Sequence, residues 1–267
     1  MIDVAALVGI PVGVLALLVL ASFAAGWIDS IVGGGGLIQL PALLIGLPSD
    51  TSVPMVSGTN KVPSAFGTAM AAVTYARSVA VSLRQVLPLI AGAAAGSGIG
   101  AQLTHLLARE QFTPIVLAAV VVVGVYTWRR PQLGLAAIDK HVGTAALWRL
   151  AAIGLAVGLW DGFIGPGTGS FFLIALVGVM GYEFLTATTL AKMANLTTNI
   201  AAIAVFAASG QIWWAVALPM AVANLTGGWL GSRTAVRNGN AFVRKVFLVV
   251  VAALAVKLAA DIVQQWW

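Results

Sequence analysis

Long apolar runs dominate the chain, broken only by short polar, proline-bearing or glycine-rich stretches. They occupy roughly 5–31, 37–47, 54–76, 85–107 and 112–128, then resume at 148–164, 170–181, 186–208, 212–231 and 243–263. A membrane-spanning helix needs about 20 apolar residues, and most of these runs meet that length. The segments 37–47 and 170–181 do not. At ~1.5 Å rise per residue they reach little past the middle of a bilayer, so they predict half-helices or steep, broken spans. The pattern predicts an all-α, polytopic membrane protein with five segments on each side of a basic linker. Residues 1–128 form a first transmembrane repeat, 129–147 the linker and 148–267 a second repeat.

Composition agrees. Of 267 residues, 60% are hydrophobic and 8% are charged, against about 25% charged in a soluble domain. No polar stretch is long enough for a soluble domain. The N-terminus, Met1-Ile2-Asp3, has no basic residue before its apolar run, which predicts a retained first helix rather than a cleaved leader. The absence of cysteine excludes disulfides, thiolate metal sites and cysteine nucleophiles.

A net charge of +6 would suggest nucleic acid in a soluble protein, but here the placement of charge reports topology. Arg77 and Arg84 flank one loop, Arg129, Arg130, Lys140 and Arg149 lie in or beside the linker, and Arg233, Arg237, Arg244 and Lys245 mark a third site. These predict cytoplasmic positions. The loops at 46–53, 108–112 and 209–212 are poor in basic residues. Corresponding loops of the two halves carry opposite charge character, so the repeats are expected to be inverted, with both termini outside the cytoplasm. At an offset of 131, Lys61 matches Lys192, Pro88 matches Pro219, Gly96 matches Gly227 and Gly100 matches Gly231. The small-residue faces Gly92/Gly96/Gly100 and Ala223/Gly227/Gly231 suit close helix packing, either static or sliding.

The chemistry-bearing residues follow the same duplication. Gly26-Trp27-Ile28-Asp29 precedes Gly33, Gly34, Gly35 and Gly36, and Gly158-Leu159-Trp160-Asp161 precedes Gly165-Pro166-Gly167-Thr168-Gly169-Ser170. Irregular backbone at membrane depth is tolerated only where it is buried in protein or lines a cavity. A glycine break leading into a helix start offers free amides to an anion. Thr168 and Ser170 add hydroxyls, and Pro166 suits a first helical turn. The alternative is a tight turn between packed helices. Lys61 and Lys192 sit inside spans, near the depth of the breaks, with Asn60 beside Lys61, and Asn195 and Asn199 on the face of Lys192. The lysines either attract an anionic substrate or neutralise Asp29 and Asp161, and both roles are compatible. The two aspartates are candidates for structural or proton-coupling roles. Phosphate-loop spacing is missing, and neither a metal-ligand cluster nor a cofactor motif is evident.

Asp29 followed by Gly33–Gly36 with Pro41 downstream, the run Asp161 to Ser170, and Ala191-Lys192-x-x-Asn195-x-x-x-Asn199 resemble the TauE/SafE sulfite exporter family, also called toluene sulfonate uptake permeases. The resemblance covers nearly the whole chain. It implies a bacterial inner-membrane, multi-pass carrier for small sulfur-containing or organic anions such as sulfite, sulfoacetate or other sulfonates. By motif, Gly33 to Gly36, Gly165, Gly167, Thr168, Gly169 and Ser170 would supply amide and hydroxyl donors. Asn60, Lys61, Lys192, Asn195 and Asn199 would complete the cavity. The expected partners are a small anion, the lipid bilayer and, in a homo-oligomer, further copies of the chain; nucleic acid is not expected. An anion channel using the same site is the competing reading. An intramembrane enzyme or a scaffold suits these residues less well.

Overall fold

The computed structural model describes residues 9–108, 111, 115 and 143–266. The predicted span 112–128 lies outside them but for one residue, as do the linker up to 142 and both chain ends. The described elements are α1 (Val12–Val32), α2 (Gly36–Gly46), α3 (Val53–Ala76) and α4 (Leu83–Leu103, with a 3-10 turn Thr104–Leu106). They continue with α5 (Gly143–Phe163), α6 (Thr168–Ala175, extended by a π-turn Leu176–Met180), α7 (Phe184–Ala208) and α8 (Trp214–Trp266). The expected all-helical class is what the described residues adopt. Four described stretches are long and apolar enough to cross a membrane: Val12–Ile31, Leu83–Leu106, Gly143–Phe163 and Phe184–Ala208.

Local chemistry sets the ends. Ser52 caps α3 by accepting from Met55 N–H, with Pro54 in the first turn, where a missing N–H costs nothing. Ser82 and Gln85 form a capping box at the start of α4. Helix α1 stops where Gly33 turns left-handed (φ 83°) and returns its N–H to Asp29 O. Before α6, Gly165 (φ 96°) and Gly167 (φ 78°) make two left-handed turns, so Pro166 precedes the helix instead of opening it as expected. Another expectation fails at the C-terminal side. The basic stretch 232–245, read as a loop between two spans, continues as helix within the 53 residues of α8. It holds no proline. Thr234 Oγ1 donates to Leu230 O, Asn238 Nδ2 donates to Thr234 O, and Arg233 covers the Trp229 ring, all within the helix itself.

Packing does not follow the sequence halves. Helix α4 lies along α5 and α7, α8 lies along α1 and α3, and α3 packs on α7. The most extensive contacts therefore join helices from different halves. Gly58 near the start of α3 meets Phe206 and Gln211 O at the far end of α7, and Thr59 Oγ1 accepts from Trp213 N–H. Tyr75 at the other end of α3 shares a buried cluster with Phe184 and Ala187. These two helices are antiparallel.

The small faces account for the close approach. A Cβ at Gly96 would stand 2.2 Å from Leu155 O of α5, and one at Gly227 would stand 2.1 Å from Phe23 O of α1. Backbone cannot retreat as a flexible side chain can. Gly96→Ala is expected to lower the melting temperature in detergent, while Gly98→Ala, with open space around it, leaves it unchanged or raises it. A common response would show that α4 and α5 do not pack through this face.

Candidate functional site

The two glycine breaks meet backbone to backbone. Ser170 N–H donates to Gly33 O at 3.2 Å, and a Cβ on Gly169 would lie 2.4 Å from Gly33 Cα. No side chain fits between them, so this crossing requires glycine on both strands of chain.

Two ion pairs cross at the same place. Lys61 of α3 pairs with Asp161 of α5 at 2.6 Å, and Lys192 of α7 pairs with Asp29 of α1 at 2.9 Å. Each lysine also donates to the main-chain carbonyl of its aspartate, Lys61 to Asp161 O at 2.8 Å and Lys192 to Asp29 O. Both aspartates stand in the last turn of their helix. Each ammonium thus neutralises a carboxylate and also stabilises the negative end of a helix dipole. The sequence left open which lysine meets which aspartate; in the fold Lys61 reaches the second break, at Gly165, and Lys192 reaches Asp29 beside the first. Antiparallel packing of α3 on α7 exchanges them.

The carboxylates continue into the next helix. Asp29 Oδ1 accepts from Gly35 N–H at 3.2 Å, and Asp29 Oδ2 accepts from Thr68 Oγ1 at 3.4 Å. Asp161 Oδ1 accepts from Thr168 Oγ1 at 2.6 Å. A carboxylate from the preceding helix therefore already occupies part of each helix start that the sequence suggested for an external anion.

These elements line a partly open cavity of about 20 Å³, room for roughly one water molecule. Gly33, Gly36, Asn60 and Lys61 line it, with Gly165, Gly167, Thr168 and Gly169 from the second break and Asn195 and Asn199 from α7. Asp29, Asp161 and Ser64 complete the wall. Four expected residues are not in the lining: Gly34, Gly35, Ser170 and Lys192. Gly35 instead backs the Asp29 side chain. Lys192 is fully buried behind Asp29, through which it acts on the cavity. The Asn60 side-chain oxygen is buried without a hydrogen-bond partner among the described residues, which leaves that acceptor open to a donor in the cavity.

Sequence reading missed Thr68, although its position was informative. Thr68 and Ser64 stand seven and three residues after Lys61, as Asn199 and Asn195 stand after Lys192. A second omission carried no such signal. Gln39 Oε1 accepts from Asn224 Nδ2 at 2.7 Å while Gln39 Nε2 donates to Asn60 O, and Asn224 Nδ2 also bonds Ser22 O. This buried network ties α1, α2, α3 and α8 together beside the cavity. The repeat gives no sign of Asn224: 131 residues before it, in the first half, stands Ala93.

The family model for the sulfite exporter TauE/SafE matches residues 17–258. The chain belongs to the TauE/SafE family. Similar proteins include the probable membrane transporter protein ORF9 of Sinorhizobium sp, 36% identical over 249 residues that cover 92% of this chain and 93% of that one. A probable membrane transporter protein of Haemophilus influenzae is 32% identical, covering 97% of this chain and 98% of its own length. The probable membrane transporter protein YfcA of Escherichia coli K12 is 33% identical over 92% of this chain and 90% of its own. No solved structure matches the chain significantly. Membership in this family makes the protein a membrane transporter and not an enzyme.

Proposed function

We propose that this TauE/SafE member is a secondary carrier of small sulfur-containing or organic anions, such as sulfite, sulfoacetate or other sulfonates, across the bacterial inner membrane. The observation that carries the reading is the meeting of both glycine breaks and both crossed Lys–Asp pairs at one small polar cavity. Ionisable groups at membrane depth are costly and mark substrate pathways. The Asn60, Asn195 and Asn199 amides and the hydroxyl of Ser64 are neutral donors that suit a small oxyanion.

A cavity with room for one water is smaller than any sulfonate. Binding therefore requires the surrounding helices to separate, as alternating access does. A cavity this small holds no standing pore, which favours a carrier over a channel. Two inverted repeats, 1–128 and 148–267, would rock about the crossed pairs. With a negative cytoplasm, the potential assists outward movement of an anion by about 2.3 kcal/mol per charge per 100 mV, so export needs no coupling ion.

Reconstituted protein preloaded with unlabelled sulfite should accumulate labelled sulfite by counterflow, saturably, with competition by sulfoacetate and not by acetate. Counterflow is a carrier property. Conductance far above carrier turnover, without counterflow, would replace this reading with the channel; counterflow of acetate alone would remove the sulfur oxyanions.

A further inference from the structure

Two buried hydroxyls are left without an account. Ser57 Oγ and Thr188 Oγ1 have no hydrogen-bond partner among the described residues, although the residues are only 4% and 2% exposed. Burying a hydroxyl unpaired is unfavourable, and it is rare enough that each case asks for a cause. Here the two cases are related. Ser57 and Thr188 stand 131 positions apart, the offset that relates Lys61 to Lys192.

Each hydroxyl lies one helical turn before its lysine, on the same face. Extended onward, that face reads Ser57, Lys61, Ser64, Thr68 on α3 and Thr188, Lys192, Asn195, Asn199 on α7. Position for position, these are two polar stripes of equal spacing, each about 16 Å long. The last three residues of each stripe are engaged at the central cavity or with its ion pairs. Ser57 and Thr188 lie beyond it. Because α3 and α7 are antiparallel, they lie beyond it at opposite ends. Ser57 is on the side of the loop after α7, whose neighbour Gly58 meets Gln211 O. Thr188 is on the side where α3 ends, near Tyr75.

We propose that Ser57 and Thr188 are the two outlying substrate contacts of the pathway, each donating its hydroxyl to the oxyanion as it passes between the centre and one face of the membrane. The assignment rests on the carrier reading. From the distribution of basic residues, Ser57 serves the external face and Thr188 the cytoplasmic one.

The test is transport of labelled sulfite in right-side-out and inverted membrane vesicles, for wild type, Ser57→Ala and Thr188→Val, with melting temperatures in detergent alongside. Ser57→Ala should raise KM about tenfold in right-side-out vesicles and much less in inverted ones, and Thr188→Val should do the reverse, at the scale of one hydrogen bond to a charged group. Neither should lower the melting temperature, since neither loses a partner. Unchanged KM values in both orientations, or equal shifts in both, would overturn the assignment and leave the carrier reading intact. A fall in melting temperature with KM unchanged would identify structural hydroxyls, also against it. Wild type that carries no sulfite in either orientation removes the carrier reading for this anion and the assignment with it.

Discussion

Lys61→Met is expected to destabilise the protein strongly. It strands the Asp161 carboxylate, whose side chain is 3% exposed, in surroundings where a buried charge without its partner costs about 3–5 kcal/mol. Removing both charges with Lys61→Met and Asp161→Leu should recover most of that loss, because two well-packed apolar groups can replace a buried pair at little cost. Lys192→Met should cost less, since the Asp29 side chain is 16% exposed and keeps its bonds from Gly35 and Thr68. Transport separates the two roles of the lysines. If they bind the anion, the stable double variant remains inactive; if they only neutralise carboxylates, it recovers transport along with its melting temperature. Melting curves and counterflow on the same four preparations decide between these outcomes.

The second large effect is expected at the glycine crossing. Gly169→Ala would bring a methyl to 2.4 Å from Gly33 Cα, and Gly33→Ala would bring one to 2.3 Å from Gly169 C. Neither contact can be relieved by rotating a side chain, so the breaks must part, at about 1–3 kcal/mol for overpacking. Gly33→Ala adds the cost of a left-handed alanine, about 1–2 kcal/mol. Gly167→Ala pays only that conformational cost, because its nearest neighbour is the edge of the Phe171 ring at 3.6 Å. The expected order of melting temperatures is therefore Gly167→Ala highest and Gly33→Ala lowest. The double variant at 33 and 169 should cost less than the sum, since one separation relieves both clashes. Loss of transport in Gly169→Ala is expected even where the protein still folds, because the crossing holds both helix starts in place. If Gly33→Ala and Gly167→Ala melt alike, the breaks do not touch in the membrane.

That the two glycine breaks, the aspartates and the lysines belong together was legible because charge and glycine inside long apolar segments are rare and were duplicated. Thr68 could have been found by carrying the spacing of Asn195 and Asn199 from Lys192 back to Lys61. The Gln39–Asn224–Ser22 network could not, because its members lie far apart in sequence and Asn224 has only Ala93 as its counterpart in the other half. The loop read into 232–245 shows a limit of charge counting. Basic residues locate a segment at a membrane face, but they do not end a helix, and Arg233, Thr234 and Asn238 all find partners within the same one.

By itself the sequence determined the membrane class, the half-length helices α2 and α6, and the pairing of each glycine break with a carboxylate and a lysine. Those follow from hydropathy, from segment length against bilayer thickness and from the desolvation cost of charge, all local properties of the chain. Only the tertiary structure decided which lysine meets which aspartate. That choice depends on α3 and α7 running antiparallel and on α4 and α8 packing against the opposite halves. Either pairing would have neutralised the charges equally well. Which helix lies against which is decided by close backbone contacts at the small-residue faces of α4 and α8, and those contacts exist only once the helices are packed.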